Sequence, residues 1–266
     1  MKVSIIIATY NRGILLDRML YCLNRQTLNK KEWEVLIADD MSADGTGGII
    51  DRWSSKMNIK YKLYNKNPGV WRDGCVLRND ISRQAKGEVI ILTHPDLLLQ
   101  DNAIEEAYKP HKKNSKNKIW VAMKTYWISK SLQNEIDKWK WKSNLNNLKK
   151  HPNFYRYKPA SAGYTNKEAE TTEVWESEVF SSYDTYTWSN IMCGFREFKE
   201  WGMVDIDSYA RRQILGIKTH VIMNQLCYHQ YHESPREYKN IIKKAQFLCY
   251  YKNTDEAQKA GGLCEK

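Results

Sequence analysis

The apolar runs at 89–92 and 97–99 are separated by Thr93-His94-Pro95-Asp96, so an imidazole, a ring that fixes the backbone and a carboxylate interrupt what would otherwise be one buried strand. Two earlier apolar runs also end in polar groups, "VSIIIA" in Thr9-Tyr10-Asn11-Arg12 and "WEVLIA" in Asp39-Asp40. Turn formers and helix caps would account for Asn11 and Asp44. They account poorly for a His-Pro-Asp set between two apolar runs. Polar groups at several strand ends suit a ligand site, because open α/β sheets bind ligands beyond the carboxyl ends of their strands. A second set of residues suggests a different chemistry. Between Lys109 and Lys158 fourteen basic residues face only Glu135 and Asp137, a net +12 in a chain whose total is +11. Trp120, Trp127, Trp139, Trp141 and Phe154 are interleaved with them. Basic residues mixed with aromatics form surfaces for polyanions or nucleic acids; a solvated lysine face over packed aromatics has the same composition.

Those strand ends need a sheet to hold them. The β-branched run "KVSIIIAT" predicts a first strand, followed by a helix in "GILLDRMLYCLNRQ" with Ile14, Leu15, Met19 and Leu23 at helical spacing. Next come a strand in "WEVLIAD", a helix in "GTGGIIDRWSSK", a strand in "IKYKLYN", a helix in "VWRDGCVLRNDISRQA" and a strand in "EVIIL". Such alternation implies a mostly parallel sheet flanked by helices. The alternation becomes irregular beyond residue 108. Residues 128–188 read as loops and short helices with an acidic patch at Glu168, Glu170, Glu173, Glu176 and Glu178. Structure resumes near 190, and Ser234-Pro235-Arg236-Glu237 predicts the capping box of a last helix.

Composition removes several classes. The six cysteines form no C-x-x-C pair, which argues against a zinc ribbon, a redox motif or a secreted disulfide framework and for buried thiols. "MKVSIIIATYNR" is too short in apolar residues for a signal-peptide core, and no run approaches the ~18 apolar residues of a membrane span. A soluble cytoplasmic protein without a transmembrane segment is expected.

"VSIIIATYNR", "LIADDMSADGT", "NPGVWRDGCVLRND", "AKGEVIILTHPDLLL" and "WGMVDIDSYARR", followed by "CYHQYH", occur in an order that resembles the family 2 glycosyltransferases of the GT-A fold. The resemblance covers residues 1–108 and about 190–232. It implies a single domain over 1–266: a nucleotide-sugar-binding half at 1–108, an acceptor-binding and catalytic half at 109–232, and a C-terminal helix and tail at 233–266. The fold implied is a Rossmann-like, mostly parallel sheet with a basic-aromatic insertion on the acceptor side.

The same resemblance implies roles. Ala8, Tyr10 and Arg12 would line the nucleotide, Tyr10 and Arg12 beside base and phosphates, and Asp39 would accept a hydrogen bond from a pyrimidine. Arg72 and Arg78 would neutralise the diphosphate, a task suited to bidentate guanidinium groups. The family usually closes the fourth strand with aspartate-x-aspartate; here His94 takes the first position and Asp96 the last. Asp96 would bind a divalent cation, Mn²⁺ or Mg²⁺, which neutralises the leaving diphosphate. His94 would be a nitrogen ligand favouring Mn²⁺ or a hydrogen-bond donor to ribose or phosphate. Of His229 and His232, the alignment favours His229 as a further ligand. In Trp201-Gly202-Met203-Val204-Asp205 the family's glutamate is replaced by valine, and Asp205 is the catalytic base implied; Asp207 is an alternative better suited to capping the next helix.

The resemblance therefore implies a metal-dependent inverting glycosyltransferase using a nucleotide sugar, most often a uridine diphosphate sugar. The acceptor would be a hydroxyl, and residues 109–158 point to a polyanion such as DNA carrying hydroxymethylated pyrimidines. An anionic polysaccharide or a lipid-linked glycan is the alternative. A module that kept the fold and lost the reaction is the rival from another class, motivated by His94 and Val204.

Overall fold

The computed structural model describes residues 1–65, 74–113, 118–151, 160–161, 179–198, 204–233 and 251–263. Its strands are β1 Val3–Thr9, β2 Trp33–Asp39, β3 Ile59–Leu63, β4 Val89–Thr93, β5 Leu97–Leu99, β6 Ile119–Trp127, β7 Ala160–Ser161, β8 Phe180–Asp184 and β9 Lys218–His229. They form one sheet in the order β3-β2-β1-β4-β8-β6-β9-β5, with β7 on β6. The helices are α1 Gly13–Asn24, α2 Thr46–Ser54, α3 Cys75–Ser82, α4 Ala103–Lys113, α5 Lys130–Lys138, α6 Trp141–Asn144, α7 Val204–Ile214 and α8 Thr254–Lys259.

Helices cover both faces of the sheet, so its central strands are apolar on both sides, and this is why they read as continuous rather than alternating runs. Ile5 and Ile7 of β1 pack with Leu16, Met19 and Leu20 of α1. Ile6 and Ala8 face the other way, onto Leu77 and Ile81 of α3 and onto Trp188. The turn into β4 needs its glycine: a Cβ on Gly87 would lie 2.4 Å from the Ser4 backbone nitrogen, so no larger residue could pass so close to β1.

The first four strands and the three helices between them fall where the sequence predicts. The second half differs. The sheet is mixed, since β8 runs antiparallel to β4 and β6, and β5 antiparallel to β9. β8 lies in the stretch expected to be loops, yet it joins the two halves of the sheet. Its "FSSYD" carries no apolar alternation because Ser181 and Ser182 are themselves buried. A buried imidazole answers their polarity, with His111 Nε2 2.8 Å from Ser182 Oγ. Trp120 and Trp141 of the basic stretch are core residues, while Lys130, Lys138, Lys140 and Lys142 are exposed.

Cys22, Cys75, Cys193 and Cys227 are buried, as expected. Among the described residues no helix is long and apolar enough to cross a membrane. The acidic patch at 168–178 and the helix expected after Ser234 lie outside the described residues.

Candidate active site

The interruption at His94-Pro95-Asp96 is where the chain changes partners. β4 pairs with β1 and β8 as far as Thr93, and from Leu97 the chain pairs with β9 as β5. Between them the His94 N–H donates to the Val179 carbonyl at 3.1 Å, and the Gln230 N–H donates to the Asp96 carbonyl at 2.9 Å. Pro95, with no N–H to place in either ladder, sits at the exchange. The register opposes Leu97 to His229. That register brings a histidine distant in sequence beside Asp96.

One ligand atom each from His94, Asp96 and His229 lie within 4.8 Å of one another. His229 Nε2 stands 3.4 Å from Asp96 Oδ1, and His232 Nε2 stands 3.2 Å from Asp96 Oδ2. Asp96 is only 3 % exposed, and its Oδ1 has no hydrogen-bond partner. His229 Nδ1 lies 3.0 Å from the Gln230 carbonyl. That contact requires a hydrogen on Nδ1 and leaves the lone pair of Nε2 facing Asp96 Oδ1. A lone pair opposed to a buried carboxylate oxygen is stable only with positive charge between them.

A proton is a poor candidate for that charge. Burial holds the His229 imidazole below its usual pKa, despite the pull of Asp96. Burial and then the Arg78 guanidinium push His94 down to about 3. Burial also works to raise the Asp96 carboxyl, but the protons that the surrounding histidines, His229 foremost, take up in acid, together with a hydrogen bond from His232, override it and hold the carboxyl well below its usual range. Two neutral imidazoles and one ionised carboxylate, one oxygen of which is orphaned, fit a divalent cation.

Around this centre, Trp127 stacks on His229 with ring centroids 3.8 Å apart and planes 18° apart. The strand register pairs the same two residues. Arg12, expected beside base and phosphates, reaches His232, its Nη2 3.2 Å from Nδ1. Arg78 is buried, its Nε has no partner, and its guanidinium lies 5.9 Å from the centre of the Phe195 ring. The next residue fixes that ring: Asn79 donates to the Phe195 carbonyl at 2.8 Å and accepts from its N–H at 2.9 Å.

The other predicted residues are more dispersed. Ala8 lies in β1 and Tyr10 is exposed at its end. Asp39 ends β2 with its carboxylate already engaged, Oδ1 by Ser42 N–H and Oγ–H at 2.9 and 2.6 Å and Oδ2 by the Tyr61 hydroxyl at 2.9 Å. Arg72 lies outside the described residues. Asp205 is exposed in the first turn of α7. Asp207, the alternative base, is buried and takes the Tyr251 hydroxyl, with Arg196 and Arg211 at 3.8 and 3.7 Å. It lies inside α7 and is closed to a substrate.

Sequence reasoning missed the Trp127 stack and the Arg12–His232 contact. In the sequence Trp127 is only one aromatic of the basic stretch, and neither contact has a local signal.

Comparison with known proteins adds independent findings. The sequence model of Glycosyl transferase family 2 matches residues 4–165. The poly(ribitol-phosphate) beta-N-acetylglucosaminyltransferase TarP of Staphylococcus aureus (strain N315) is 32% identical over 120 residues, 44% of this chain and 35% of its own length. TarS from strain Mu50, of the same description, is 31% identical over 107 residues, 40% of this chain and 18% of its own. The chain thus spans well under half the length of these relatives. Among solved structures, S. aureus TarS in complex with UDP-GlcNAc matches with a TM-score of 0.64 at 19% identity, covering 88% of this chain and 60% of that one. The mannosyltransferase PcManGT from Pyrobaculum calidifontis, in complex with GDP-Man and Mn²⁺, matches with a TM-score of 0.59 at 17% identity, covering 93% and 61%. These likenesses confirm the GT-A type of fold. Because the family match spans more than half of the chain and runs through the turn that carries His94 and Asp96, the chain belongs to glycosyl transferase family 2.

Proposed function

We propose that this chain is a divalent-cation-dependent inverting glycosyltransferase that moves a sugar from a nucleotide sugar, a uridine diphosphate sugar in the first instance, to a hydroxyl of a polyanionic acceptor. The observation that carries this reading is the orphaned Asp96 Oδ1, facing the lone pair of His229 Nε2 at the exchange between β4 and β5. Asp96, His229 and His94 would hold the ion. Bound there, a divalent cation neutralises charge developing on the leaving diphosphate.

The remaining roles belong to this chain's side chains. Arg78, buried with an unpartnered Nε, and Arg72 bind the diphosphate. Ala8 and Tyr10 border the nucleotide, and Asp39 meets the base through whatever acceptor capacity Ser42 and Tyr61 leave it. Asp205 takes the proton of the acceptor hydroxyl. The acceptor oxygen bonds to the anomeric carbon from the face opposite the diphosphate, whose bond to that carbon breaks with the electron pair leaving on phosphate. Configuration inverts in this single displacement. A base so placed contributes about 10²- to 10⁴-fold.

The exposed lysines of α5 and α6 suit an acceptor carrying phosphates. Trp120 and Trp141 are not available to stack on bases. The relatives' names carry poly(ribitol-phosphate), so a polyol phosphate is the acceptor class preferred over hydroxymethylated DNA. Incubation with UDP- and GDP-sugars and Mn²⁺ tests the reading. Release of nucleoside diphosphate that is lost in Asp96→Ala and Asp205→Asn is expected, with transfer to poly(ribitol phosphate). Transfer to hydroxymethylcytosine DNA alone would replace the acceptor class. No turnover of any donor would leave a binding module.

A further inference from the structure

The two oxygens of Asp96 have different surroundings. Oδ1 is unpartnered and faces His229, while Oδ2 is met by His232 Nε2 at 3.2 Å. His232 is in turn contacted at Nδ1 by Arg12 Nη2 at 3.2 Å and by the Glu233 carbonyl at 3.1 Å. A guanidinium can only donate, so the Arg12 contact makes Nδ1 an acceptor and places the ring hydrogen on Nε2, from which it donates to Oδ2. His232 is therefore oriented as a donor to Asp96, unlike His229, whose Nε2 presents a lone pair.

We propose that His232, held by Arg12, is a positioning residue that confines Asp96 to single-oxygen ligation and so makes the site discriminate against calcium. The inference rests on the cation reading above. Calcium takes six to eight oxygens, often with bidentate carboxylates, whereas smaller divalent ions accept one carboxylate oxygen together with imidazole nitrogens. With Oδ2 occupied, Asp96 offers one oxygen beside His94 and His229. Outer hydrogen bonds of this kind are worth about 10- to 100-fold in metal affinity.

The test measures Mn²⁺ binding to the whole chain by electron paramagnetic resonance, with Ca²⁺ as competitor, in the wild type, His232→Ala and His232→Gln. The wild type should bind Mn²⁺ with two imidazole nitrogen couplings and resist displacement by Ca²⁺. His232→Ala should keep both couplings, bind Mn²⁺ about 10- to 100-fold more weakly and be displaced by Ca²⁺ more readily. His232→Gln, whose amide can still donate, should recover most of both properties. Three couplings in the wild type that fall to two in His232→Ala would make His232 a ligand and overturn the proposal. So would unchanged Mn²⁺ affinity and Ca²⁺ preference in His232→Ala, with the cation site itself still standing. Absence of Mn²⁺ binding to the wild type would remove both.

Discussion

Trp127 and His229 are opposed across the β6–β9 ladder and stack face to face, 3.8 Å between ring centroids. The indole thus fixes the plane of an imidazole whose Nε2 points at Asp96 Oδ1. Aromatic pairs contribute about 0.5–1.5 kcal/mol beyond their burial. Trp127→Ala should weaken Mn²⁺ binding by roughly 2- to 10-fold, and Trp127→Phe should restore most of it. Equal affinity in all three proteins would show that the stack does not orient the ring.

Asp205 and Asp207 are separated by one residue and should behave oppositely. Asp205→Asn, at an exposed position, should lower kcat by about 10²- to 10⁴-fold with little change in melting temperature. Asp207→Asn should unfold more easily, because it leaves Arg211 and Arg196 facing a neutral group in the interior. Breaking such a buried pair costs about 3–5 kcal/mol. Activity and thermal denaturation measured side by side separate the two; a full-activity Asp205→Asn would remove it as the base.

His111 gives the fold an acid limit. Burial pushes its imidazole down to about 4, against the ordinary 6.5 that it regains on unfolding. The unfolded chain therefore binds a proton at a pH where the folded one does not. This contribution to stability is complete above pH 6.5 and is lost as the pH falls through 4, a total of about 3 kcal/mol. Urea unfolding at steps between pH 7 and pH 4 should show the decline, and His111→Gln should flatten it.

Acceptor binding should depend on salt. Replacing Lys138, Lys140 and Lys142 by Ala should weaken binding to a phosphate polymer and lower the slope of log affinity against log salt by about one for each phosphate left without its lysine. An unchanged slope in the triple variant would place the acceptor elsewhere.

The first 108 residues of the fold were legible because their central strands are buried on both faces and their helices are amphipathic, so each element carries its own signal. β8 was not legible, since its buried Ser181 and Ser182 look like loop residues until His111 is brought against them. Asp96 and His94 stood out because a carboxylate and an imidazole are costly between apolar runs. Their meeting with His229 depends on the β5–β9 register, a pairing across more than a hundred residues that no local pattern records. Asp205 was named from a motif alone, and Trp201, Gly202 and Met203 of that motif lie outside the described residues.

The cation site is tested most directly by anomalous diffraction from crystals of the whole chain grown with Mn²⁺ and UDP. A single manganese peak at bonding distance from Asp96 Oδ1, His229 Nε2 and a ring nitrogen of His94, with diphosphate oxygens completing the shell near Arg78, is the expected result. UDP bound with no manganese between Asp96 and His229, or manganese held by other residues, would contradict it.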